Sequence, residues 1–122
     1  MNWVEDTLRQ LGRSIGIENL TFNARGVCCL SLQKSGELFI ERREAEVFVY
    51  LARRIPYLDE RVMEKALSLC HFRNVRSLPV VAGLKGDDEV IFLTRIREEE
   101  VSLPVLEEAI RLVMSLHERA NE

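Results

Sequence analysis

The chain has 122 residues and a formal net charge of −3, with 47% hydrophobic and 30% charged side chains. That length suits one domain, residues 1–122, which buries roughly 65% of the surface its unfolded chain exposes and needs no staples. The negative charge argues against a general nucleic-acid or anionic-membrane binder, because both need a basic footprint.

The start, "MNWVEDTLRQ", lacks a basic segment followed by an apolar run, and no stretch approaches the ~18 apolar residues of a membrane span. The expected location is the cytoplasm, with the three cysteines as reduced thiols.

In chain order, Val4, Leu8, Leu11 and Ile15 fall on one face of a 3.6-residue period. This predicts a helix over 3–15 that stops at Gly16, with Gly12 costing the middle about 1 kcal/mol relative to alanine. Short apolar runs follow, separated by turn signals: "NLTFN", "VCCLSLQ", "LFIER" and "VFVYLA". They read as an antiparallel meander. The period then switches in "PYLDERVMEKALSLCHF", where Val62, Ala66, Leu69 and Arg73 share a row beside Met63, Leu67 and Cys70. Asp59 is the expected N-cap of this second helix. "LPVVAGL" and "EVIFLTRI" make a hairpin around "KGDD", and "SLPVLEEAIRLVMSLHE" a last helix capped by Ser102. The order is α-β-β-β-α-β-β-α, an α+β fold with a mostly antiparallel sheet and three helices.

Reactive chemistry is sparse. Neighbouring strand residues point to opposite faces, so Cys28 and Cys29 cannot share a metal; Cys28 belongs with Leu30 and Leu32 on the buried face. Cys70 and His71 are adjacent on a helix and do not face each other. His117 is expected to sit at the end of the last helix, where positive charge is favourable. "REEEV" lacks a calcium-loop spacing, and "GLKGDD" lacks the lysine-hydroxyl ending of a phosphate loop. The paired arginines of "LARRIP" read as solvated, with an acidic partner surface as the sharper alternative. No cofactor and no metal is expected.

One pattern needs more than this chain to explain it. Val90, Phe92 and Ile96 alternate with Ile91 and Leu93, Leu78, Val80 and Ala82 with Val81, and Phe48 and Tyr50 with Val47, Val49 and Leu51. Strands apolar on both faces are buried on both, yet three short helices cover about one. A second subunit, a bound polypeptide, or both must cover the other.

The strings "MNWVE", "LARRI", "VMEKALSL", "LPVVAGL" and "VSLPVLEEAI", in that order and spacing, resemble the class I type III secretion chaperones, the family that includes the Tir chaperone, and most closely its SycN type. The resemblance runs most clearly from residue 45 onward and is weak over residues 17–35. It implies a small, acidic, non-enzymatic, cytoplasmic protein, peripheral at the secretion apparatus. It also implies a dimer, formed with a second small chaperone of the YscB type or with a second copy. The pair would bind the N-terminal segment of a secreted, YopN-like gatekeeper protein and keep it soluble and secretion-competent. By the same analogy Val62, Met63, Ala66, Leu69, Cys70, Leu78, Val80 and Val81 form the dimer contact, while Trp3, Leu8, Phe22, Leu38, Phe39 and Ile40 receive the client. Competing readings are a homodimeric adaptor unrelated to secretion, and an enzyme built on Cys70 and His71.

Overall fold

The computed structural model describes residues 3–56, 58–71 and 78–121. Tyr57, Phe72 and Arg73, which the sequence placed in or beside the second helix, lie outside them. Helix α1 (Trp3–Ser14) leads into strands β1 (Val27–Leu32), β2 (Gly36–Arg43) and β3 (Glu46–Arg54). Helix α2 (Glu60–Leu69), the hairpin β4 (Val80–Lys85) and β5 (Glu89–Arg97), a 3-10 turn (Glu98–Glu100) and helix α3 (Leu103–Ala120) complete the chain. The five strands form one antiparallel sheet in the order β1-β2-β3-β5-β4.

The helix ends follow from local chemistry. The Asp59 carboxylate accepts from the amides of Arg61 (2.9 Å) and Val62 (3.2 Å), and Ser102 Oγ accepts from the Val105 amide (3.3 Å). Helix α1 closes in a Schellman motif: the Ile17 amide donates to the Gly12 carbonyl (2.7 Å) and the Gly16 amide to that of Arg13 (3.3 Å). Gly12 therefore does more than weaken a helix. A Cβ there would lie 2.7 Å from the Ile17 carbonyl oxygen and 2.8 Å from the Leu20 Cβ, so its bare Cα lets the following segment fold back onto α1.

That segment corrects one expectation. "NLTFN" is not a strand. Leu20 turns inward to the core, and the Asn23 side chain accepts from the amides of Arg25 (2.8 Å) and Val27 (3.1 Å), making a turn that delivers the chain into β1.

The helices lie on one side of the sheet, with α3 packed over β3 and β5 and touching both α1 and α2. The inner face is built of cross-strand rows. One runs Cys28, Ile40, Val49, Thr94, Val80 and the next Leu30, Leu38, Leu51, Phe92, Ala82. Ile40, Val49, Leu51 and Phe92 are fully buried against Leu8, Leu106, Ala109, Val113 and Leu116 of the helices. Cys28 lies on this face and Cys29 on the other, as the alternation requires.

His117 is a second correction. It does not cap α3 with a positive charge. The ring is wholly buried, edge-on to Phe92 at 4.8 Å, and Nε2–H donates to the Leu51 carbonyl at 2.6 Å. Burial, with a smaller contribution from the Arg53 charge, lowers its pKa to about 4, so the imidazole is neutral at pH 7.

Candidate functional site

Two surfaces depart from the usual rule of apolar inside and polar outside. The first is the sheet face turned away from the helices. Its central row runs Cys29, Phe39, Tyr50, Leu93, Val81 across all five strands. Phe48 and Ile91 lie in the flanking rows. Phe39 and Tyr50 stack at 4.9 Å with ring planes 12° apart. Phe39, Phe48, Tyr50, Ile91 and Leu93 are half-buried, whereas Cys29 is exposed and Val81 remains 59% exposed. No described helix packs over them, so the expectation that three helices cover one face agrees with the packing.

Polar groups close the margin of this row. Tyr50 Oη donates to Glu41 Oε1 (3.1 Å), and Glu41 pairs with Arg43 (2.7 Å). Partial burial, then the neighbouring Glu41 carboxylate, pushes the Tyr50 phenol up from its ordinary value, so it stays a neutral donor. Among the described residues the row ends at open backbone on both sides: β1 pairs only with β2, and β4 only with β5. Each edge offers unpaired amides and carbonyls to an extended polypeptide.

The second surface lies where α2 meets the β4–β5 turn. A groove of about 350 Å³ is walled by Leu58, Met63, Leu67 and Leu84. Leu67 and Leu84 are 57% and 50% exposed, unusual for leucines so close together on a lone chain. Asp59, Glu60, Glu64 and Asp87 form the rim.

The predicted contact residues divide between surface and core. Of the client set, Trp3 is 51% exposed at the start of α1, and Phe22 and Phe39 are half-buried. Leu8, Leu38 and Ile40 are core side chains with no surface to offer. Of the dimer set, Val81 is exposed, while Val62, Met63, Cys70, Leu78 and Val80 are half-buried. Ala66 and Leu69 are buried in this chain's own core and cannot be principal contacts. Leu67 and Leu84 were missed. The signal for Leu67 was present, since at 100° per residue it projects about 20° from Glu60 and roughly 130° from the mean direction of the buried Ala66 and Leu69. The paired arginines are engaged: Arg53 donates to the Ser35 carbonyl (3.0 Å) and Arg54 pairs with Asp88 (2.7 Å). Among the described residues, no group of three His, Cys, Asp or Glu side chains converges as metal ligands would.

No described helix is long and apolar enough to cross a membrane. The family model described as "Type III secretory system chaperone SycN" matches residues 3–120. The chain is 25% identical over 119 residues to the chaperone protein SycN of Yersinia enterocolitica, covering 97% of this chain and 96% of that one. Among solved structures, the ExsC–ExsE complex holds a chain of the same fold at TM-score 0.80 and 14% identity, covering 97% and 92% of the two chains. The Yersinia pestis type III secretion chaperone SycH, in complex with a stable fragment of YscM2, matches at TM-score 0.72 and 15% identity, covering 95% and 98%. A match running from the first described helix to the last residues of α3 identifies the chain as a member of the SycN family of type III secretory system chaperones.

Proposed function

We propose that this chaperone pairs through its α2–β4 surface with a second small subunit of the YscB type, and that the pair binds the N-terminal segment of a secreted, gatekeeper-like protein in the cytoplasm. The family is a non-enzymatic class, and the mechanism is thermodynamic. The observation that carries the proposal is the apolar row across the outer sheet face, which a protein acting alone would leave in contact with water.

On this reading the client lies along the outer face and over Trp3, Phe22 and Phe39. It covers Phe48, Tyr50 and Leu93, and it adds main-chain hydrogen bonds at an open sheet edge. Pockets between rows select alternate client side chains. The segment loses conformational freedom when it binds, so the contact must be large enough to offset that ordering. SycH was itself captured with a stable fragment of another protein, which makes a polypeptide client a natural occupant for this fold.

The test is affinity purification of the tagged chain from a secretion-competent host, with the complex weighed by light scattering. The expected result is a second small protein together with the N-terminal part of a secreted one. Tyr50→Arg on the outer face should release the client and keep the small subunit, and Leu67→Arg should release the subunit. Recovery of the chain alone at twice its mass would replace the proposal with a homodimeric adaptor. Recovery only as a monomer would overturn it.

A further inference from the structure

The charge pattern around the α2 groove restricts what can occupy it. Among the described residues, no lysine or arginine lines the groove, and four carboxylates edge it. Asp59 is engaged as the N-cap, with Arg61 at 3.8 Å. Glu60, Glu64 and Asp87 are exposed and make no ion pair among the described residues. The bases of α2 lie elsewhere. Arg61 and Lys65 line a neighbouring recess with Val62 and Ala120, on the side where α2 meets α3, and the N-cap Asp59 stands between the two. Helix α2 is therefore split lengthwise, acidic and apolar toward the β4–β5 turn and basic toward α3.

We infer that this groove selects the partner subunit: it takes an apolar side chain flanked by lysine or arginine, and it rejects a second copy of this chain. The inference rests on the proposed use of the α2–β4 surface as the subunit contact. A two-fold dimer of identical chains brings the same patch against itself. Here that would press Glu60, Glu64 and Asp87 toward their own counterparts, with Arg61 and Lys65 turned to the other flank. Like charges brought together across an interface penalise the wrong pairing, and unpaired carboxylates lose hydration as the surface closes. A basic partner reverses both effects. Its apolar anchor fills the space between Met63, Leu67 and Leu84 while its cations meet the free rim carboxylates. The groove has no buried polar group to orient a small molecule, so a polypeptide is the fitting occupant.

The test uses the full chain with isotope-labelled methionine methyl groups, titrated with two designed amphipathic helices. One carries a leucine face flanked by lysines and the other the same face flanked by glutamates. The lysine helix should shift the Met63 methyl resonance and leave that of Met114 on α3 in place. Its affinity should fall about tenfold between about 50 and about 300 mM salt. The glutamate helix should leave Met63 unmoved. A chain carrying Glu60→Lys, Glu64→Lys and Asp87→Lys should reverse the preference, and all three sites are exposed, so the core is untouched. An equal response to both helices, or a response to neither, would overturn the inference. So would a Met63 shift that grows with the chain's own concentration in the absence of peptide, since the occupant would then be a second copy. The subunit-contact reading fails separately: an unshifted Met63 methyl in the natural complex would place the subunit elsewhere, whatever the designed helices do.

Discussion

Stability should fall on mild acidification because of one residue, His117. In the folded protein the ring is wholly buried against Phe92 and its pKa is held at about 4, whereas the unfolded chain titrates near 6.5. Between those values the unfolded state binds a proton that the folded state refuses, so stability rises with pH through this window and is lost as pH falls. At pH 7 the folded ring is almost entirely neutral and the unfolded one about three-quarters neutral. At pH 5 the unfolded imidazole is nearly all protonated and the folded one is about nine-tenths neutral. The difference between the two pH values is about 2 kcal/mol, at 1.36 kcal/mol per pKa unit. That is a large part of the ~5–15 kcal/mol stability of a small domain. Urea unfolding at pH 7 and pH 5, at one protein concentration, would measure it. His117→Gln removes the titration while keeping an amide donor toward the Leu51 carbonyl. The variant should be less stable at pH 7 and lose about 2 kcal/mol less than the parent between the two pH values, which cancels every other titrating group. Equal losses in the two proteins would refute the idea that burial holds this ring neutral.

Three further outcomes follow from local geometry. Gly12→Ala should gain about 1 kcal/mol of helix propensity but lose roughly 1–3 kcal/mol from the contacts with Ile17 and Leu20, so thermal melting should show a net destabilisation. Asp59→Ala removes the two cap hydrogen bonds of α2 and should cost about 1 kcal/mol in chemical denaturation, with the asparagine variant recovering most of it. Burial raises the thiol pKa of both Cys28 and Cys29, helped by Cys29 in the first case and Glu37 in the second, so neither is a ready nucleophile at neutral pH. In a Cys70→Ser background a thiol reagent should label exposed Cys29 slowly, faster as pH rises, and reach buried Cys28 only on unfolding. Equal labelling of both in the folded protein would contradict the strand register.

The elements were legible because their signals are local. Asp59 and Ser102 announce helix starts, and the alternation in β3 and β5 announces strands whatever lies against them. The segment from Asn19 to Asn23 misled because a short apolar run with a phenylalanine looks the same whether it pairs in a sheet or drops one leucine into a core. His117 misled for a related reason. Its position near a helix end predicts a charge-dipole contact, and only the tertiary packing against Phe92 and Leu51 reveals a neutral ring. The contact residues were the least legible. Periodicity reports that Leu38, Ile40, Ala66 and Leu69 face something apolar. It cannot report whether that neighbour is α3 of the same chain or a different molecule. The exposed Leu67 is informative for the opposite reason: it is an apolar side chain beside Glu60, where a solvent-facing helix surface calls for a polar one, whereas Leu84 keeps the inner-face alternation of Val80 and Ala82 and is nonetheless half exposed.

The same logic connects the fold to its use. The centre of the inner face is complete without help, since Val47, Val49, Leu51, Val90 and Phe92 are already excluded from water by the chain's own helices. The core therefore does not require a client, and the outer row can be given over to binding. The two unfinished surfaces also differ in chemistry. The outer row is aromatic and aliphatic, bordered by charges of both signs (Glu37 beside Cys29, Glu41 paired with Arg43, Arg95 paired with Glu46), whereas the α2 groove carries unpaired carboxylates. On the proposed reading this difference keeps the two partners from competing. A client segment selected by apolar side chains gains little from an acidic rim, and a basic subunit gains little from a neutral aromatic row. One small chain can then hold a subunit and a client at once, because each surface is poorly suited to the other's ligand.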